Sequence, residues 1–336
     1  MAAPALTAAQ EQAFAQAAAQ LAGIMAQPDS PFRRLPRPGF RRGIDFYTGR
    51  GLLAALANAL QAYRAKLGAF PDLAEPRDYN EKILWFKFFG ELKVPEAGDK
   101  LATARFIPEA WRDRIRRPTV VWHSHAPALP ANDRIAPGVY YLKSNHGSGM
   151  FRKIRYPLAE AERAELQALC RDWLARDYGL TDGEWWYAAF PRRILLERDV
   201  CDGAPPVCWN IHVLNGRIGL VELFDKNAQP LQVTWLDARL RPMAVQMDGV
   251  DRIAAPRMPA DPDSLLAAAS AIAAPFEFAR VDFFIGADGT AYLGEVTFSP
   301  SNAMGRRPAE IERQLGDMLA IGSRRAGGIR DAAEDQ

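Results

Sequence analysis

The chain has 336 residues, 49% of them hydrophobic and 24% charged, and a net charge of +2. That balance fits an ordinary soluble globular protein with room for one large or two modest domains. It gives no case for a nucleic-acid or anionic-membrane partner.

Cys170, Cys201 and Cys208 match neither a zinc spacing nor a small disulfide scaffold, so a reducing compartment is the simplest reading. Glutamines and Glu11 interrupt the N-terminal alanines, and no run of eighteen apolar residues occurs. The expectation is a cytoplasmic protein, neither exported nor inserted in a membrane. Only eight of the basic residues are lysines, at 66, 82, 87, 93, 100, 143, 153 and 226, against 34 arginines. A lysine in so arginine-biased a chain either marks a site that needs a compact ammonium or persists by chance.

Residues 5 to 26, rich in Ala and Gln, are expected to form a helix. Residues 28 to 43, with four prolines and five arginines, break it. Arg33-Arg34 and Arg41-Arg42 there read as a solvated loop or a contact for an acidic substrate. Gly51 to Leu67 places Leu52, Leu53, Leu56, Leu60 and Tyr63 on one helical face. A third helix follows Asp78, and Asp99 is placed to cap a fourth from Lys100 to just before Arg116.

From Val120 the pattern turns to short strands. Val139 to Lys143 is a strand running into the polar loop Ser144-Asn-His-Gly-Ser-Gly-Met150, and Leu158 to Tyr178 is helical. Strands follow at Arg193–Val200, Trp209–Leu214 and Ile218–Phe224, with Asn215-Gly216 as a type I′ turn. Leu265 to Ala274 is helical, and the stretch from Arg280 to Pro300 reads as two short strands joined by a turn at Ala287-Asp288-Gly289. The tail after Ser323 is small and polar and is expected to be disordered. The class is α+β, with antiparallel strands dominating the second half.

Three segments carry chemistry. The last hairpin bears Asp282 and Glu295 on its two strands, where they can face one another. Facing carboxylates repel unless a cation lies between them; the alternative is a solvated hairpin with two unrelated acids. Lys143 leads into His146-Gly147-Ser148-Gly149, whose backbone N–H groups suit phosphate oxygens, although an ordinary hairpin turn has the same composition. The Gly-Lys-Ser/Thr order of a Walker loop is absent. Arg193-Ile-Leu-Leu-Glu197 is an apolar strand ending in an acid, either a hinge between lobes or a buried strand emerging into solvent.

In order, these pieces resemble the TupA-like family of ATP-grasp proteins, named for teichuronopeptide biosynthesis. The resemblance runs from about Tyr79 to Leu319. It is carried by Asn80-Glu-Lys-Ile-Leu-Trp-Phe, Asp99-Lys100, Tyr141-Leu-Lys-Ser-Asn-His-Gly-Ser-Gly149, Trp173, Asp177-Tyr-Gly179 and Glu184-Trp-Trp-Tyr187. Arg193-Ile-Leu-Leu-Glu197, Arg280-Val-Asp-Phe and Gly294-Glu-Val-Thr-Phe-Ser-Pro300 complete it.

The resemblance implies an ATP-grasp fold, two α+β lobes clasping ATP, over residues 139 to 323. An N-terminal helical extension at 1 to 76, a segment at 77 to 138 and a tail at 324 to 336 would complete the chain. It implies that Lys100, Lys143, His146, Gly147, Ser148 and Gly149 meet phosphates, Glu197 the ribose, and the stretch of Arg198 to Val200 the adenine edge. Asp282 and Glu295, with Thr297 in the third position, would hold Mg²⁺. Arg280 would stabilise an acyl phosphate or the tetrahedral intermediate.

The implied activity is an ATP-dependent carboxylate–amine ligase acting on a small molecule or a cell-surface glycan precursor. A sugar or small-molecule kinase and an inactive nucleotide-binding module are the alternatives. The family's usual Asp-Tyr-Lys is Cys208-Trp209-Asn210 here, and Lys226 is the candidate to replace the lost charge. Its proline after Lys143 is Ser144. Outside this set, His123 and His125 read as surface or packing residues, and His212 as pointing to solvent or the cleft. Trp173, Trp185, Trp186 and Trp235 read as core.

Overall fold

The computed structural model describes residues 41–47, 50–204, 206–225, 228–247 and 249–321. The expected first helix, Arg33-Arg34, the tail and Lys226 lie outside the described residues. Among the described residues, no helix is long and apolar enough to cross a membrane.

Among the described residues, three helices come first: α1 (Gly43–Phe46), α2 (Arg50–Leu67) and α3 (Tyr79–Phe89). On α2, Leu52, Leu56, Leu60 and Tyr63 are buried, while Leu53 is 57% exposed, so the expected face narrows by one residue. Glu81 accepts the backbone N–H of Asp78 at 3.1 Å, which satisfies a donor at the start of α3. This helix is buried on nearly every side, Lys87 included.

The expected fourth helix does not form. Three 3₁₀ turns replace it, at Pro95–Gly98, Thr103–Phe106 and Glu109–Trp111. Asp99 caps a local turn instead, accepting from Leu101 N at 2.8 Å and from the Asn145 side chain at 2.9 Å. Pro108 then disfavours helix at Ile107 and removes a donor.

Among the described residues, ten strands follow in two sheets. They are β1 (Ile115–Arg116), β2 (Val120–Ser124), β3 (Gly138–Ser144), β4 (Phe151–Tyr156) and β5 (Ile194–Arg198). After them come β6 (Cys208–Leu214), β7 (Arg217–Asp225), β8 (Gln232–Leu236), β9 (Phe278–Ile285) and β10 (Ala291–Thr297). Helix α4 (Glu160–Ala175) follows β4, α5 (Pro262–Ala273) precedes β9, and α6 (Ala309–Met318) closes the described chain.

The small sheet has the order β2-β5-β3-β4 and the large one β1-β10-β9-β6-β7-β8. The β1–β10 pair is parallel, and the other strand pairs among the described residues are antiparallel. Residues 115–124 thus add a strand to each sheet. The α+β class is as expected. Asn215 and Gly216 have φ of 46° and 79°, the type I′ turn between β6 and β7.

Each sheet has its own core. Tyr140, Leu142, Ile154, Leu166, Trp173, Ile194 and Leu196 join the small sheet to α4. The larger cluster packs α2, α3, α5 and α6 on the large sheet, with Trp185, Trp186, Trp209, Trp235 and Phe283 among its most buried members. Two apolar cores with polar residues between them leave a cleft where the sheets face each other.

Candidate active site

That cleft gathers Lys100, Lys143, Gly147, Ser148, Gly149, Glu197, Arg198, Val200, Asp282 and Glu295 from both sheets. Tyr141, Met150, Phe151 and Phe284 supply apolar wall.

On the small sheet, Lys143 of β3 reaches Glu197 of β5, with Nζ 2.5 Å from Oε2. Arg117 approaches the other oxygen at 3.4 Å. Glu197 is 4% exposed, and two cations compensate its burial. The Lys143 ammonium also lies 5.4 Å from the Phe284 ring and 5.5 Å from the Tyr141 ring.

Asn145 locks the glycine loop. It is fully buried; its Oδ1 accepts Arg193 N at 2.7 Å, and its Nδ2 donates to Asp99 Oδ1 and to Pro191 O. Lys100 N donates to Asn145 O at 3.1 Å, so the same residue positions the Asp99-Lys100 step. Gly147 and Gly149 have φ of 73° and 74°, a conformation that favours glycine. A Cβ on Gly147 would lie 2.5 Å from the Tyr178 ring, whereas one on Gly149 would meet nothing within 4 Å.

His146 departs from expectation. It is 1% exposed and points away from the cleft. Its Nε2 donates to Arg176 O at 3.3 Å, so its Nδ1 is the acceptor for Ser144 Oγ at 2.6 Å. Burial pushes its pKa down to about 4. Both ring nitrogens are taken, and the residue braces the loop from behind.

On the large sheet, Asp282 and Glu295 are cross-strand partners, and a bulge makes them so. Leu293 pairs with Phe283, Gly294 is the extra residue, and Glu295 then meets Asp282. A Cβ on Gly294 would lie 2.7 Å from the Phe284 ring, so the bulge position is tightly packed. Thr297 Oγ1 lies 3.3 Å from Asp282 and 3.4 Å from Glu295.

Both acids carry a protein cation. Lys100 Nζ is 3.0 Å from Glu295 and donates to Gly147 O at 2.6 Å, linking the acid pair to the glycine loop. Arg280, on the same face of β9, grips Asp282 through Nε at 2.7 Å and Nη2 at 2.6 Å. Burial disfavours the Arg280 charge, but Asp282 and Glu295 outweigh burial and raise its pKa above the ordinary arginine range.

Cross-strand pairing extends the acid row through Asn210 of β6 to Glu222 of β7. Glu222, 5% exposed, accepts from Trp235 Nε1 at 3.1 Å and from Asn210 at 3.5 Å. His212 is also not where expected. It is wholly buried, its Nδ1 is 2.9 Å from the Tyr79 hydroxyl, and burial drives its pKa well below the usual histidine value. Helix α3 covers the face that the strand alternation leaves open.

A further group escaped the sequence reading. Lys87, 1% exposed, donates to Asn302 Oδ1, and burial lowers its pKa to about 8. Ser299 donates to buried Glu184. Together these hold Ser301, Asn302 and Ala303, all at positive φ, just after the strand that bears Glu295. The signals in the sequence were a lone lysine in the aromatic run Trp85-Phe86-Lys87-Phe88-Phe89 and the presence of Glu184 and Ser299 within motifs of the resemblance.

The acid pair fits a divalent ion held jointly with a ligand. Among the described residues, no group of three or more His, Cys, Asp or Glu gathers to hold a metal. Mg²⁺ needs only one or two protein carboxylates when phosphates and water supply the rest.

No protein-family model matches the sequence, and no curated protein matches it. Among solved structures, the chain is similar to the ATP-grasp ligase PsnB complexed with a phosphomimetic variant of its minimal precursor, Mg and ADP. The identity is 13% over 68% of this chain and 56% of that one, with a TM-score of 0.35. It is similar to the D-cycloserine synthetase DcsG at 15% identity, over 67% of this chain and 70% of that one, with a TM-score of 0.37. An L-amino acid ligase from Bacillus licheniformis aligns at 13% identity over 67% and 48% of the two chains, with a TM-score of 0.37. The chain thus spans less than two thirds of the length of PsnB.

Proposed function

We propose that the chain is an ATP-grasp enzyme of the TupA-like kind, joining a carboxylate to an amine at the expense of ATP. The observation that carries this is the opposition, across one cleft, of Lys143 and the Gly147–Gly149 loop to the Asp282/Glu295 pair. Phosphoryl transfer needs positioned cations and a metal clamp more than a protein nucleophile.

Lys143 and Lys100 would hold phosphate oxygens, with the glycine-loop N–H groups beside them. Glu197 would accept ribose hydroxyls. The Arg198 and Asp199 N–H groups already donate to Thr119 O and Val139 O, so an adenine edge would meet the carbonyls of that stretch and Val200. Mg²⁺ held by Asp282 and Glu295, with Thr297 beside them, would neutralise charge on the phosphates.

A substrate carboxylate oxygen attacks the γ-phosphorus, ADP leaves, and an acyl phosphate forms. The amine nitrogen then adds to the acyl carbon, loses a proton, and expels phosphate. Arg280 would stabilise the oxyanion of that addition. A glycan or glycan precursor as the carboxylate partner rests on the TupA-like resemblance.

The test is ADP release with a panel of carboxylates and amines. Dependence on both supports the ligase. Stable phosphorylation of one substrate without an amine marks a kinase. ATP binding without turnover, in wild type and Asp282→Ala alike, contradicts both.

A further inference from the structure

We propose that Arg280 occupies the cation position of the acid pair until nucleotide arrives, making divalent-metal binding conditional on nucleotide. This rests on the ligase reading above and adds a coupling device to it.

The guanidinium reaches all three groups assigned to the metal. It lies on both oxygens of Asp282 at 2.6 and 2.7 Å, 4.0 Å from Glu295 Oε1 and 3.5 Å from Thr297 Oγ1. The Arg280 and Asp282 side chains are only 12% and 8% exposed. A bidentate, charge-assisted contact shielded from water is stronger and less screened by salt than a surface pair. Lys100 stands 3.0 Å from the second carboxylate.

A divalent ion arriving alone therefore meets two carboxylates already neutralised by two protein cations. It must displace a buried guanidinium and then tolerate both positive charges beside it. Nucleotide changes that balance. Its phosphates offer Lys100 a new partner at the glycine loop, where Nζ already contacts Gly147 O, and they give Arg280 an anion to turn to. Metal and nucleotide then strengthen each other's binding reciprocally.

The probe is Mn²⁺, followed by its paramagnetic resonance signal, with and without ADP. Wild type should bind Mn²⁺ more tightly with ADP, within the roughly 5–150-fold range of typical couplings. Arg280→Gln should tighten nucleotide-free Mn²⁺ binding by about tenfold and so shrink the ADP effect. Arg280→Lys keeps the charge, loses the fork, and should fall between, which preserves the test if the Gln variant does not fold. A merely structural role for Arg280 would weaken Mn²⁺ binding in both variants. Nucleotide-free affinity equal to or weaker than wild type in the variants overturns the proposal. Wild type that binds no Mn²⁺ even with ADP overturns the ligase reading instead, so the two failures are distinct.

Discussion

The two walls of the cleft are built from facing sheets but carry opposite excess charge. On the small sheet one carboxylate, Glu197, is shared by Lys143 and Arg117. On the large sheet Asp282, Glu295 and Glu222 lie in one cross-strand row, and Arg280 is the guanidinium seated on it. Lys100, from the segment between, crosses to the acid side. The first wall suits phosphate and the second a cation. Because Lys143, Glu197, Asp282 and Glu295 are already in ion pairs, ligands must exchange partners rather than fill bare sites.

The largest effect should separate the two acids of the hairpin. Asp282→Ala should abolish ADP release and also strand the buried Arg280, costing about 3–5 kcal/mol of stability in denaturant unfolding. Glu295→Gln should abolish turnover too but cost only about 1 kcal/mol, because its side chain is 28% exposed. Equal stability losses would break the contrast.

On the other wall, Lys143→Ala should abolish turnover and weaken ADP binding by about 2 kcal/mol in titration calorimetry, leaving the fold intact with Arg117 still on Glu197. Unchanged ADP affinity would remove Lys143 from the site. Within the loop, Gly147→Ala should cost about 1–3 kcal/mol and Gly149→Ala about 1 kcal/mol, since only the first adds a collision to the strained φ.

A further effect concerns pH. His146 titrates near 4 when folded, below the usual 6.5, so the unfolded chain binds the extra proton between those values. Stability should be fully present above pH 6.5 and fall as pH drops toward 4. His146→Asn should flatten the slope; an unchanged slope would show that the imidazole is not buried neutral.

Much of this was legible in sequence because it is local. Alternating apolar residues around Ala287-Asp288-Gly289 announce the acid hairpin, and the lysine-to-glycine step announces the loop. What was hidden depends on distant partners. The bulge at Gly294 sets the facing of the acids, yet nothing in strand alternation reveals it. Asp99 looks like a helix cap until Asn145, 46 residues away, takes its carboxylate. His146 looks like a phosphate ligand until Ser144 and Arg176 claim its nitrogens. The alternation put His212 on the polar face, but only packing of Tyr79 against it seals that face.

A structure with ADP and Mg²⁺ would test the nucleotide and metal assignments of the cleft together. Phosphates should lie between Lys143 and the Gly147–Gly149 loop, with metal on Asp282 and Glu295 and Arg280 withdrawn from Asp282. Nucleotide bound elsewhere, or phosphates in this cleft with no metal on the acid pair, would contradict these assignments.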